Sequence, residues 1–136
     1  MKISALSLPK PVTLPAIHSK YRAIVVDDSP AYVEVVCALL ALEDVVDVIG
    51  RAGDGAEAIR MVAQFVPDLV IMDVHMAGVS GLTAATLIAD CFPASKVILM
   101  SADEALLPAA LASGASAFIH KPPFAADFAR VLASLD

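Results

Sequence analysis

The chain has 136 residues, 59% of them hydrophobic and 5% aromatic, with a formal net charge of −6. This composition excludes intrinsic disorder, and the length fits one domain that can bury about 68–70% of its unfolded surface without a disulfide or metal staple. The charge is uneven: Lys2, Lys10 and Lys20 fall in an opening stretch without acids, so residues 21–136 carry −9, a poor match for nucleic acid.

Residues 1–20 hold Pro9, Pro11 and Pro15 and show little periodicity, so they read as a flexible or extended arm. The same prolines break any signal-peptide helix. From Tyr21 onward short β-type runs alternate with helical patterns. The runs are Ala23–Asp27, Val45–Ile49, Leu69–Asp73, Val97–Ser101 and Ala117–His120. Most are continuously apolar, as strands buried on both faces are.

The first helix carries Val33, Val36, Cys37 and Leu40 at i, i+3, i+4, i+7. Ile59, Val62 and Val66 mark a second helix, and Leu82, Ala85 and Ala89 a third. Leu107 and Leu111 mark a fourth, and Phe124, Phe128, Val131, Leu132 and Leu135 a fifth. Start signals agree: Ser29 before Pro30 is an N-cap before a first-turn proline, Asp54 with Glu57 resembles a capping box, and Ser80-Gly81 precedes the third helix. Pro108 must sit near the start of the fourth helix or bend it, and Gly114 suits the position just past its end.

Cys37 and Cys91 have no metal-ligand spacing. Both lie in apolar helical stretches and read as buried, reduced thiols, which points to the cytoplasm. A bilayer span needs about 20 consecutive apolar residues. The longest uncharged windows, Val74–Ala89 and Ala105–His120, are shorter and interrupted.

Five successive strand–helix units predict an α/β fold, a doubly wound five-stranded parallel sheet in the flavodoxin-like order 2-1-3-4-5, with five helices. In such a sheet ligands bind beyond the carboxyl ends of the strands, at the switch in strand order. Strand one ends in Asp27-Asp28, strand three in Asp73 and strand four in Ser101, while strand five leads into His120-Lys121-Pro122. Singly, each has an ordinary explanation: acids at a helix start, a serine cap, a surface lysine. Asp73 is the exception, because it ends a buried run where an unpaired carboxylate costs free energy. Together, three carboxylates, a hydroxyl and an ammonium converge. Carboxylates so close repel unless a cation joins them, and Mg²⁺, with its oxygen ligands, answers that need. Three carboxylates, one ammonium and one Mg²⁺ are together neutral.

From Tyr21 to Asp136 the chain resembles the receiver domain of two-component response regulators, the CheY-like fold. The resemblance rests on Val26-Asp27-Asp28, on Asp73 followed by Met76 and Gly81, on Met100-Ser101-Ala102, and on Phe118-Ile119-His120-Lys121-Pro122. It implies that Asp73 accepts a phosphoryl group from a phosphohistidine on a sensor histidine kinase or histidine phosphotransfer protein. It implies that Asp28 and Asp73 ligate Mg²⁺, with Asp27 holding a bound water and the backbone carbonyl of His75 completing the protein ligands. Lys121 would contact the phosphoryl oxygens, Ser101 would move to hydrogen-bond them, and Phe118 would turn inward as the switch aromatic. The resemblance also suggests a cis Lys121-Pro122 bond.

Five positions depart from the family pattern or stand open. Ala77 replaces the usual proline after Met76, Ser101 the commoner threonine, and Phe118 the frequent tyrosine. The side chain of His75 reads as solvent-facing, and His120 has no assigned role. The fourth helix is apolar on nearly all sides. Two readings of it stay open: plain alanine richness, or a homodimer or effector patch on the face it forms with the fifth strand and fifth helix.

The expected function is a phosphorylatable switch rather than an enzyme with a turnover substrate, without a membrane or nucleic-acid role of its own. One alternative is a receiver-like interaction module independent of phosphorylation. Another is a receiver excised from a longer regulator with a DNA-binding or enzymatic output. An aspartyl-phosphate hydrolase would carry Asp-x-Asp, but position 75 is His. A flavin site is opposed by the acidic Asp27-Asp28-Ser29-Pro30 turn, which would repel a phosphate.

Overall fold

The computed structural model describes residues 21–135; the expected arm, residues 1–20, lies outside them. In chain order the elements are β1 (Tyr21–Val26), α1 (Pro30–Leu40), β2 (Val46–Ala52), α2 (Gly55–Phe65), β3 (Leu69–Asp73) and α3 (Gly81–Cys91), then β4 (Lys96–Ser101), a 3-10 turn (Glu104–Leu106), α4 (Leu107–Ala112), β5 (Ala117–His120) and α5 (Ala125–Ser134). All strands pair in parallel in the order β2-β1-β3-β4-β5. The predicted α/β fold, with its sheet order and five helices, is the one observed.

The central strand β3 and the inner parts of β1 and β4 are continuously apolar because both sheet faces are covered there. Side chains alternate across a strand, so Ile24, Val26, Val70, Met72, Val97 and Leu99 enter one core layer, against Ala58 and Val62 of α2 and Ala84, Ala85 and Ile88 of α3. Ala23, Val25, Leu69, Ile71, Ile98 and Met100 enter the other, against Val33, Val36 and Leu40 of α1 and Phe128, Val131 and Leu132 of α5. The register of β1 on β2 slips between Ala23 and Ile24.

The helix starts follow the sequence signals. Ser29 Oγ accepts the Tyr32 N–H at 3.3 Å, Asp54 Oδ1 accepts the Glu57 N–H at 2.8 Å, and Ser80 Oγ accepts the Thr83 N–H at 3.3 Å. Glu57 reaches back to the Gly53 N–H, one residue before the cap. Pro108 sits in the first turn of α4, and Gly114 takes the left-handed conformation after it, with φ 104°.

Four packing expectations are corrected. Cys91 is exposed and Cys37 only partly buried. The buried face of α3 runs Gly81, Ala84, Ala85, Ile88, and Phe92, one residue beyond Cys91, continues it against the core. Phe124 is not part of α5: after Pro122-Pro123 the backbone stays extended through it, leaving its ring 71% exposed. Val66 leaves α2 with φ 42°, because the proline at 67 disfavours helical backbone in the residue before it. Leu107 and Leu111 point outward, and α4 rests on the sheet through Ala110, which is fully buried; alanine lets this short helix approach closely.

Candidate functional site

The carboxyl ends of β1 and β3 lie side by side, with Val26 opposite Met72 in register. The next residue on β1 is Asp27, and β3 ends on Asp73. Carboxylate oxygens of Asp27, Asp28 and Asp73 lie within 4.8 Å of one another; Asp27 and Asp73 are buried and Asp28 is exposed. The predicted convergence of the three acids is thus observed.

Lys121 joins them from the loop after β5. Its Nζ donates to Asp27 Oδ2 at 2.8 Å and to Asp73 Oδ1 at 3.1 Å. Lys121-Pro122 is cis, as the resemblance suggested. The second oxygen of Asp27 accepts the Ser29 N–H at 3.0 Å, which ties the acid to the cap of α1.

Burial is the largest cause and pushes the Asp73 carboxyl above the ordinary range; the Lys121 ammonium opposes the rise, and Asp27 and Asp28 add to it. Burial alone would lower Lys121, but its bonds to Asp27 and Asp73 hold it above the ordinary lysine value. The pair is therefore a carboxyl whose pKa is raised by desolvation, beside an ammonium whose pKa is raised by its two carboxylate partners.

The loop after Asp73 is anchored at both ends. Val74 N–H donates to Met100 O and Gly81 N–H to Val74 O, each at 2.9 Å. Gly81 is required by proximity: a Cβ there would overlap the Asp73 carbonyl oxygen and lie 2.9 Å from Val74 Cα. His75 is exposed, as is Ala77.

Ser101 is fully buried. Its Oγ accepts the Asp103 N–H at 3.0 Å, a bond within its own loop. Phe118 lies opposite Leu99 on β5, half-buried against the core layer beneath α2 and α3. His120, unassigned from sequence, is hydrogen-bonded through Nε2 to the Ala102 carbonyl at 3.0 Å, linking β5 to the loop that follows Ser101.

Tyr32 escaped the sequence reading. Its ring centroid lies 3.8 Å from Lys121 Nζ. The only local signal was an aromatic three residues after the Ser29 cap, and its partner lies far along the chain. The donor set suits a hard divalent cation: three carboxylates, two of them buried, with one ammonium to offset them.

Residues 23–133 match the family model of the response regulator receiver domain. The chain belongs to the response regulator receiver family. The probable transcriptional regulatory protein NarL of Mycobacterium tuberculosis is 35% identical over 104 residues, 75% of this chain and 48% of that protein. The solved receiver domain of NarL superposes with a TM-score of 0.79 at 30% identity, covering 86% of this chain and 96% of that one. A protein-glutamate methylesterase/protein-glutamine glutaminase of Anaeromyxobacter dehalogenans is 38% identical over 74% of this chain and 30% of that protein. CheY of Borrelia burgdorferi, solved in a complex with CheX, BeF3⁻ and magnesium, superposes with a TM-score of 0.77 at 28% identity, covering 85% of this chain and 88% of that one. This receiver spans about half the length of the first relative and less than a third of the methylesterase. Among its described residues no helix is long and apolar enough to cross a membrane.

Proposed function

We propose that this receiver takes a phosphoryl group onto Asp73 from a phosphohistidine of a sensor histidine kinase or histidine phosphotransfer protein, in a Mg²⁺-dependent reaction. The observation that carries this reading is the meeting of Asp27, Asp28 and Asp73 with Lys121 bonded to two of them. An Asp73 carboxylate oxygen attacks phosphorus; the new O–P bond forms as the P–N bond breaks, and its electron pair returns to the imidazole. A carboxylate is a weak nucleophile, so the transfer depends on positioning and on neutralising the phosphoryl charge.

Asp28 and Asp73 would hold Mg²⁺ directly, with Asp27 holding a bound water and the His75 carbonyl as a further ligand. The bound ion supplies charge neutralisation for the phosphoryl oxygens. Lys121 would contact the phosphoryl oxygens, exchanging its Asp73 bond for one to the phosphoryl group. The modified Asp73 carries about one extra negative charge. Ser101 then gives up its bond to Asp103 and donates its hydroxyl to the phosphoryl group, and Phe118 turns inward. A group bound in only one loop arrangement shifts a two-state equilibrium toward that arrangement.

The domain acts as a switch and passes its state to a partner or output. The exposed Leu107 and Leu111 of α4 make the face of α4, β5 and α5 the surface offered to a second copy or an effector. Cys37 and Cys91 are free thiols, the state a reducing cytoplasm maintains.

Incubation with acetyl phosphate and Mg²⁺ tests the reading by intact mass. Wild type gains one phosphoryl mass and Asp73→Ala gains none. A wild type that stays unmodified with acetyl phosphate and with a histidine phosphotransfer donor would instead leave a phosphorylation-independent interaction module.

A further inference from the structure

Tyr32 has no part in the reaction as written, yet it closes a circuit of contacts around the ammonium that does. Tyr32 is half-buried in the first turn of α1. Its N–H donates to Ser29 Oγ, the Ser29 N–H donates to Asp27 Oδ1, and Asp27 Oδ2 accepts from Lys121 Nζ. The Lys121 ammonium in turn lies 3.8 Å from the Tyr32 ring centroid. The helix cap thus fixes the backbone that carries the ring, and the acid that orients the cap also holds the lysine.

A lysine ammonium has three donors on a flexible four-carbon stem. Here two go to Asp27 and Asp73, and the ring face lies against the ammonium. An aromatic face attracts a cation, more strongly once water is displaced, and the Lys121 side chain is only 13% exposed.

We propose that Tyr32 is a positioning residue for phosphoryl acceptance: its ring face holds the Lys121 ammonium beside Asp73, ready for the incoming phosphoryl oxygens. The assignment rests on the function proposed above. A lysine already in place meets the developing phosphoryl charge without reorganising, whereas a hydrated, mobile one must be ordered during the reaction. The face of the ring is the acting part, so phenylalanine can replace tyrosine and an aliphatic residue cannot.

The test compares wild type, Tyr32→Phe and Tyr32→Leu in the full chain, by phosphoryl mass gain over a series of acetyl phosphate concentrations with Mg²⁺. Tyr32→Leu lowers the saturating rate about 2- to 30-fold with little change in the half-saturating concentration, while Tyr32→Phe stays within about twofold of wild type. NMR gives an independent signature: the Lys121 ε-methylene protons are shifted upfield by the ring in wild type and Tyr32→Phe, and lose that shift in Tyr32→Leu. If Tyr32→Leu does not fold, Tyr32→Met, which keeps bulk without a π face, takes its place. A leucine variant as fast as wild type overturns the assignment, as does a phenylalanine variant as slow as leucine. A wild type that gains no phosphoryl mass overturns the underlying function and the assignment with it.

Discussion

Asp73 shows how one buried acid can be costly to the fold and useful to the site. Burial raises its folded pKa, so its contribution to stability is complete below the unfolded carboxylate value and is lost as pH rises through the folded one. In metal-free buffer at neutral pH the ionised acid therefore opposes folding. Asp73→Asn is expected to be more stable than wild type there, because it removes the charge whose desolvation raises the folded pKa. The difference closes in acid, below the carboxylate range. Urea unfolding in a chelator at both pH values checks this, and a variant less stable than wild type at neutral pH would contradict it. Lys121 has the same sign in an alkaline window. Its folded pKa is raised by Asp27 and Asp73, so its contribution is intact through neutral pH and is lost only as pH rises through the folded value, above the ordinary lysine range.

At the scale of elements, caps and turns decide where each functional side chain stands. The cap of α1 is shared with Asp27, so the first helix and the acidic cluster are ordered together. The end of α2 is less economical. Val66 holds a left-handed backbone that costs a β-branched residue about 1–2 kcal/mol. Arg22 Nη1 secures that end by donating to the carbonyls of Phe65 and Val66 at 3.0 and 3.3 Å. The Val66 side chain is 47% exposed, so little burial is lost on removing it. Val66→Gly is expected to stabilise the domain by about 0.5–1 kcal/mol once the added freedom of the unfolded chain is counted. This appears as a higher urea midpoint with unchanged slope; a lower midpoint would mean that the side chain's packing outweighs the backbone strain.

For the whole molecule the deciding quantity is charge gathered at one end of the sheet. Three carboxylates against one ammonium leave the cluster net negative, so a divalent cation that binds only the folded chain stabilises it. Mg²⁺ at 100 times its dissociation constant adds about 2.7 kcal/mol, seen as a higher melting temperature than in chelator. Asp28 is exposed, so Asp28→Asn is expected to melt close to wild type in chelator and to lose most of the Mg²⁺ gain. A wild type unmoved by Mg²⁺ would count against the cluster as a cation site.

The central strand was legible because a strand covered on both faces must be continuously apolar, and Leu69–Asp73, fully buried, shows that pattern to the residue; the bounds of edge strand β5, Ala117–His120, were also read correctly. The acids were legible because in a parallel sheet the residue after such a run stands at the ligand-binding edge, which places Asp27 and Asp73 together once the strand order is known. Residue periodicity reads less well at helix ends. It could not tell that Phe92 rather than Cys91 would meet the core, or that Pro122-Pro123 would hold Phe124 out of α5. Nor could it find the Tyr32 ring over Lys121, or the bonds from Lys121 to acids 94 and 48 residues away. The sequence by itself determined the elements, the order in which they come and the chemistry at each strand end, because these follow from local patterns of apolar and capping residues. The tertiary structure alone decided which carboxylate oxygens the Lys121 ammonium bonds and what covers the lysine, because those contacts exist only when distant segments meet.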